Sequence, residues 1–216
     1  MTPGATKITA TFWDCGGVLL TNGWDEHARK RVLSHFQLDF DEFEKHHTLS
    51  NDLWERGTID VHEYLRQTVF YVPRAFSEDE FFSEMRAVSQ VLYPTMIELV
   101  RRLHAQHTPM DGMDTYLLSN ESRDLIEYRI PTFSLTGLFD AYVVSSFIGL
   151  RKPDAAFFRC ALDLSQRQPE ECVFIDDREE NVAAARKLGI HGIRMESPEQ
   201  VIAQLGRLGV TAEQTA

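Results

Sequence analysis

Apolar residues fall into two rhythms along this chain. Short runs of strand length, rich in apolar and β-branched residues, occur at 8–13, 115–118, 141–144, 172–175 and 190–194. Between the last four lie segments of about 15 to 30 residues, each long enough for one crossover helix. Residues 154–164 and 178–188 carry the clearest helical spacing. The second of these has Val182, Ala185 and Leu188 on one face and Gly189 as its stop. Alternation of this kind predicts an α/β protein with a parallel sheet sandwiched by helices.

The first gap breaks the pattern. About a hundred residues separate the first two runs, far more than a crossover needs, and they read as consecutive helices. Ala28, Val32 and Phe36 share one face; Val61, Tyr64, Leu65, Thr68 and Val69 form a second stripe; Phe81, Met85, Val88 and Leu92 form a third. Ser77 with Glu80 makes a capping box in front of the third stripe. Pro94 opens another helix, with Met96, Val100 and Leu103 on its buried side. The expected organisation is a sheet domain of residues 1–19 and 94–216 carrying a helical insertion of residues 20–93.

Composition narrows the function classes. With 216 residues, 43% of them hydrophobic, the chain can bury a full core and is not disordered. Against 33 acidic residues stand 22 basic ones, a formal charge of −11, which disfavours non-specific nucleic-acid binding. Cys15, Cys160 and Cys172 are scattered without metal-ligand spacing, as suits a reducing compartment. The first residues show no apolar leader, and no apolar run reaches 18 residues. The expectation is a cytoplasmic protein with neither a membrane nor a nucleic-acid partner.

In parallel sheets, ligands sit beyond the carboxyl ends of the strands. After the first strand comes Asp14-Cys15-Gly16-Gly17-Val18-Leu19; after the second, Ser119-Asn120; beyond the third, Arg151-Lys152-Pro153-Asp154; after the fourth, Asp176-Asp177. Taken singly, Asp14 reads as a turn residue, Ser119 or Asp177 as a helix N-cap, and Lys152 as a loop lysine. The adjacent acids are harder to explain as structure, because they repel unless a cation or donors compensate. Together the groups form one chemistry. Carboxylates suit a hard cation such as Mg²⁺ that also binds phosphate oxygens. A carboxylate can serve as nucleophile, and positive charge around a transferred phosphoryl group supplies most of the catalysis.

In these motifs, in this order, the chain resembles the haloacid dehalogenase superfamily of aspartate-nucleophile hydrolases. The resemblance covers nearly the whole chain and implies a Rossmann-like fold, with residues 20–93 as its α-helical cap. It implies Asp14 as nucleophile and metal ligand, the Gly16 carbonyl and Asp177 as further ligands, and Asp176 in support. Ser119, Asn120 and Lys152 would hold the phosphate, with Lys152 also catalytic. Most phosphatases of this family carry a second aspartate two residues after the nucleophile, as general acid and base. Here that position is Gly16, as in an Asp-x-Gly branch resembling sugar-phosphate phosphatases. Nearby Asp25, His27, Glu121 or a water could donate the proton instead.

The function expected is therefore Mg²⁺-dependent hydrolysis of small phosphorylated metabolites through an aspartyl-phosphate. A metal-independent 2-haloacid dehalogenase is the alternative, disfavoured by Asp176-Asp177, and a non-catalytic binding protein of the same fold is a third. From the insertion, Trp24, Trp54, Glu55 and Arg56 are candidates to face the site, although a core role suits either tryptophan. His104 and His107, one turn apart near a helix end, suit the helix dipole better than a metal. Cys15 should turn away from the nucleophile, as alternate residues of a strand do.

Overall fold

The structure is a computed structural model and describes residues 6–106 and 112–212. Five parallel strands, β1 (Ala10–Trp13), β2 (Asp114–Ser119), β3 (Ala141–Val144), β4 (Cys172–Asp176) and β5 (His191–Arg194), are ordered β3-β2-β1-β4-β5. β1 lies in the middle, with Trp13 level with Leu117 of β2 and Ile175 of β4. One residue further on, this register brings Asp14 beside the carboxyl ends of both neighbours, and the Asp14 N–H donates to the Ile175 carbonyl at 2.9 Å.

Strand alternation divides the sheet interior into two layers. Trp13, Leu117, Val173 and Ile175 point to one face, where they pack with Met96, Val100 and Leu103 of α5 (Pro94–Ala105) and Val201 and Leu205 of α10 (Pro198–Arg207). Phe12, Leu118 and Phe174 point to the other, against Phe157, Phe158 and Ala161 of α8 (Ala155–Ser165) and Ala185 of α9 (Glu179–Lys187). Helices thus cover both sides, as a parallel sheet with near-continuous apolar strands requires.

Between β1 and α5 run α1 (Glu26–His35), α2 (Phe40–Glu55), α3 (Val61–Thr68) and α4 (Glu78–Ala87). Each begins on a side chain that accepts from its first turn: Asp25 from Ala28, Asp39 from Glu42, Asp60 from Glu63, and Ser77 from Glu80 in a complete capping box. Their apolar faces close on one another around Trp24, Phe43, Trp54, Tyr64 and Phe81, joined by Leu125 of α6 (Arg123–Thr132).

α2 is the longest helix of the four, yet no apolar stripe announces it. Its buried positions Phe43, His47, Ser50 and Trp54 keep helical spacing, but two of them are polar. The segment after β3 includes a short helix, α7 (Ser145–Ile148). Where the chain leaves the sheet and returns it is zipped together. Leu20 bridges Val91 in antiparallel fashion, the Thr21 N–H donates to the Gln90 carbonyl at 2.9 Å, and the Gln90 N–H donates to Thr21 Oγ1 at 3.0 Å. Among the described residues, no helix is long and apolar enough to cross a membrane.

Candidate active site

Asp14 follows β1, Ser119 ends β2, Asp176 ends β4 with Asp177 next, and Lys152 precedes α8. The two N-cap readings fail. Ser122 caps α6, and Arg178 holds the N-cap position of α9, so Ser119 and Asp177 are not needed to start those helices.

Lys152 is buried and uses its ammonium three ways: Nζ lies 2.9 Å from Asp14 Oδ1, 2.7 Å from Asp176 Oδ2 and 2.9 Å from the Leu118 carbonyl. Its main chain is held by Asn120, whose Nδ2 donates to the Lys152 carbonyl and whose Oδ1 accepts from the Lys152 N–H, both at 2.8 Å. Asn120, expected on the phosphate, thus spends its carboxamide on positioning Lys152.

The two adjacent acids have different surroundings. Asp176 accepts from the Arg178 N–H at 2.8 Å and from Asn181 Nδ2 at 3.0 Å on each oxygen, besides Lys152. Asp177 Oδ1 is buried with no hydrogen-bond partner among the described residues. Asp14, Asp176 and Asp177 can bring one oxygen each within 4.8 Å of one another. Three carboxylates against one ammonium leave an excess of buried negative charge, and the orphaned oxygen marks where it is uncompensated. This donor set fits a hard divalent cation. Gly17 makes the approach possible: at φ +71° it takes a left-handed conformation, and a Cβ there would stand 2.3 Å from Asp177 Oδ2.

Protonation follows from the same contacts. Burial pushes the Asp14 carboxyl well above the usual range, with Lys152 pulling the other way. Burial also opposes the charge on Asp176, but Lys152 and the Arg178 N–H outweigh it and hold Asp176 low. Burial and the neighbouring Asp176 raise Asp177. Lys152 is held above its ordinary value because the two acids outweigh its desolvation.

Above these groups opens a cavity of about 270 Å³ with walls from both the sheet edge and the insertion. The insertion side contributes Asn22, Trp24, Asp25, Arg29, Asn51, Trp54 and Glu55. Trp24 and Trp54 serve two ends, since both also pack in the insertion's core, with Trp54 stacked on Tyr64 at 4.1 Å. Arg56 does not face the cavity; it turns to Asp52, Asp154 and the Gly149 carbonyl at the seam with the sheet domain. Beside it Arg151 pairs with Asp52 at 2.8 Å and Glu55 at 2.6 Å.

The candidate proton donors fare poorly. Asp25 is committed to capping α1, His27 is exposed, and Glu121 is paired with the buried Arg129. Cys15 is buried in the apolar core and its thiol is pushed up to about 11 by burial. His104 Nδ1 bonds Thr115 Oγ1 at 3.0 Å; His107 lies outside the described residues. Residue patterns alone missed Asn181 and Asn22. Asn181 falls in the first turn of α9, five residues beyond Asp176, where a side chain can reach back to the strand end.

Residues 8–189 match the family described as haloacid dehalogenase-like hydrolase. The chain is similar to the sesquiterpene phosphatase of Aspergillus oryzae, 26% identical over 196 residues that span 88% of this chain and 91% of the relative. It is 36% identical over 94 residues to the drimenol cyclase of Aspergillus calidoustus, 44% of this chain but only 18% of that protein's length. Among solved structures, a HAD family enzyme of Bacteroides thetaiotaomicron, determined with magnesium and inorganic phosphate, has the same fold. Its TM-score is 0.72 at 22% identity, covering 88% of this chain and 96% of that one.

Proposed function

Since this chain belongs to the haloacid dehalogenase-like hydrolases, we propose that it is a Mg²⁺-dependent phosphatase of small polar phosphomonoesters, acting through an aspartyl-phosphate on Asp14. The observation that carries the reading is Lys152 clamped between Asp14 and Asp176 beside the unpartnered oxygen of Asp177. Asp14, Asp177 and the Gly16 carbonyl would hold Mg²⁺, which supplies charge for the phosphoryl oxygens when bound. Asp176, already saturated by protein donors, holds Lys152 and supports the site.

In the first step an Asp14 oxygen attacks phosphorus and the ester oxygen leaves with the bonding pair; in the second, water attacks phosphorus and returns the pair to Asp14. Lys152 neutralises charge on the phosphoryl group, and Ser119 with the main chain of Asn120 completes its cradle. The helices of residues 20–93 act as a cap that covers the reacting group and excludes water. A cavity walled by Arg29, Asn51, Glu55 and Arg151 favours hydroxylated or charged substrates over a terpenoid chain, which would leave those groups desolvated and unpaired.

The test is phosphate release with and without Mg²⁺ from an aryl phosphate, a panel of sugar phosphates and a prenyl phosphate, with chloride release from 2-haloacids in parallel. Asp14→Asn should lower release at least ~10³-fold with an unchanged melting temperature. Metal-independent chloride release would favour the dehalogenase instead. Retained phosphate release in Asp14→Asn would remove Asp14 as nucleophile.

A further inference from the structure

We propose that Asn22 stands in for the second aspartate that Gly16 lacks, as a positioning residue for one water that serves both chemical steps. The proposal rests on the phosphatase reading above. A Cβ built on Gly16 would lie 2.5 Å from Asn22 Oδ1 and 3.3 Å from Asn22 Cα. The space that a side chain at position 16 would enter is therefore filled by the Asn22 carboxamide. Asn22 lines the cavity over Asp14.

Its backbone is held from both sides. Thr21, one residue earlier, is zipped to Gln90, and its carbonyl accepts from Arg129 Nη2. Gly23, one residue later, packs so closely on the Glu121–Arg129 pair that a Cβ there would meet Glu121 Oε2 at 2.5 Å. Asn22 is thus a fixed polar group at the edge of the reacting centre, and pre-fixed groups are what orientation in catalysis requires.

A carboxamide does not exchange protons near neutral pH, but it has an acceptor oxygen and two N–H donors with which to hold a water. Proton balance then closes through that water. Asp14 attacks phosphorus; the P–O bond to the leaving group breaks and its electron pair goes to the alkoxide. The alkoxide takes a proton from the water held at Asn22, giving the alcohol and a hydroxide. The hydroxide attacks the phosphorus of phospho-Asp14, the P–O bond to Asp14 breaks, and its pair returns to the carboxylate, releasing hydrogen phosphate. No side chain needs to titrate, which accords with Asp25 and Glu121 being otherwise engaged and His27 being exposed.

The test compares the unaltered protein with Asn22→Ala and, as a milder variant, Asn22→Ser, on alkyl and aryl phosphates with Mg²⁺. The expected result is a fall in alkyl turnover at least ~10-fold greater than in aryl ester cleavage, whose leaving group needs no proton. Aryl substrates should give a burst of one phenolate per enzyme, and intact-mass measurement should find the phosphorylated chain accumulating. Melting temperature should stay within a few degrees. Gly16→Asp alone should collide with Asn22, whereas Gly16→Asp combined with Asn22→Gly should recover alkyl turnover. An active protein whose Asn22 variants keep the alkyl-to-aryl ratio and show no burst overturns this proposal alone. An unaltered protein silent on every phosphate overturns the phosphatase reading and this proposal with it.

Discussion

The sheet edge and the helical insertion face each other across one cavity but bury their polar groups differently. At the sheet edge the buried groups are charged and stand outside the apolar layers: Asp14 follows β1, Asp176 ends β4 and Lys152 precedes α8, while Trp13 and Ile175 do the packing. In the insertion the buried groups are neutral and lie within the packing itself. Trp24 Nε1 donates to the Tyr64 hydroxyl at 2.8 Å, and that hydroxyl lies 2.7 Å from His47 Nδ1. Trp24 and Trp54 then form cavity wall and core at once. Neutralising a carboxylate such as Asp14 at the sheet edge relieves repulsion and should cost little stability, whereas reshaping the insertion's side of the cavity disturbs its own core.

The severest way to break this separation is at the Glu121–Arg129 pair, which touches both regions. Arg129→Met would leave Glu121 buried without its partner and the Thr21 carbonyl without its donor. The expected loss is about 3–5 kcal/mol in urea unfolding, with faster hydrogen exchange at residues 21–23. A smaller loss would mean that the pair is not what braces residues 21–23.

Acid should separate the regions next. Burial, with Arg29 adding to it and Glu44 opposing, lowers the His47 pKa to about 4. The unfolded histidine titrates near 6.5, so the unfolded chain binds the extra proton between those values. Stability from neutral His47 is thus fully present above about pH 6.5 and is lost as pH falls towards 4, by about 3 kcal/mol at most. The Tyr64 hydroxyl, which accepts from Trp24, lies 2.7 Å from His47 Nδ1 and can donate to that nitrogen only while it is unprotonated. Hydrogen exchange along this pH range should show the insertion loosening before the sheet, and His47→Gln should flatten the difference.

Tyr64→Phe keeps the ring stack on Trp54 but strands both polar neighbours, at a cost of about 1–3 kcal/mol confined to the insertion. A thermal melt with unchanged stability would show that water replaces the hydroxyl. Smallest is Arg56→Gln at the seam. Its partly exposed pairs with Asp52 and Asp154 should contribute less than about 1 kcal/mol, and salt should erase the contribution.

Most of the sheet half was legible. The strands lie within two residues of the positions their apolar runs predict, because buried parallel strands leave little room for polar substitution. The motif residues after them fall on one edge for the same reason. Ser77 with Glu80 announced its helix because capping is local chemistry. What stayed hidden depends on contacts distant in sequence. His47 and Ser50 disguise the inward face of α2, since their partners, Tyr64 and Gln67, lie a helix away. Arg129 looks like a surface residue until it meets Thr21 and Glu121. Asn120 could be placed at the site from its motif, but its grip on the Lys152 main chain required the loop beyond β3 to fold back. Asn22 had no signal of its own; only the empty position at Gly16 pointed towards something filling it.

The bridge between Leu20 and Val91 gives the molecule a single doorway. Everything from Thr21 to α4 is threaded out and back through one pair of adjacent backbones, so the sheet's wiring is indifferent to how much chain lies beyond. A short turn joining those two backbones would close the circuit for the sheet, and a longer excursion would add little to the entropy of closing it, which grows only as the logarithm of length. Such a scaffold can exchange its helical insertion for another without relearning how to fold, provided the replacement brings its own core and a residue to stand where Asn22 stands.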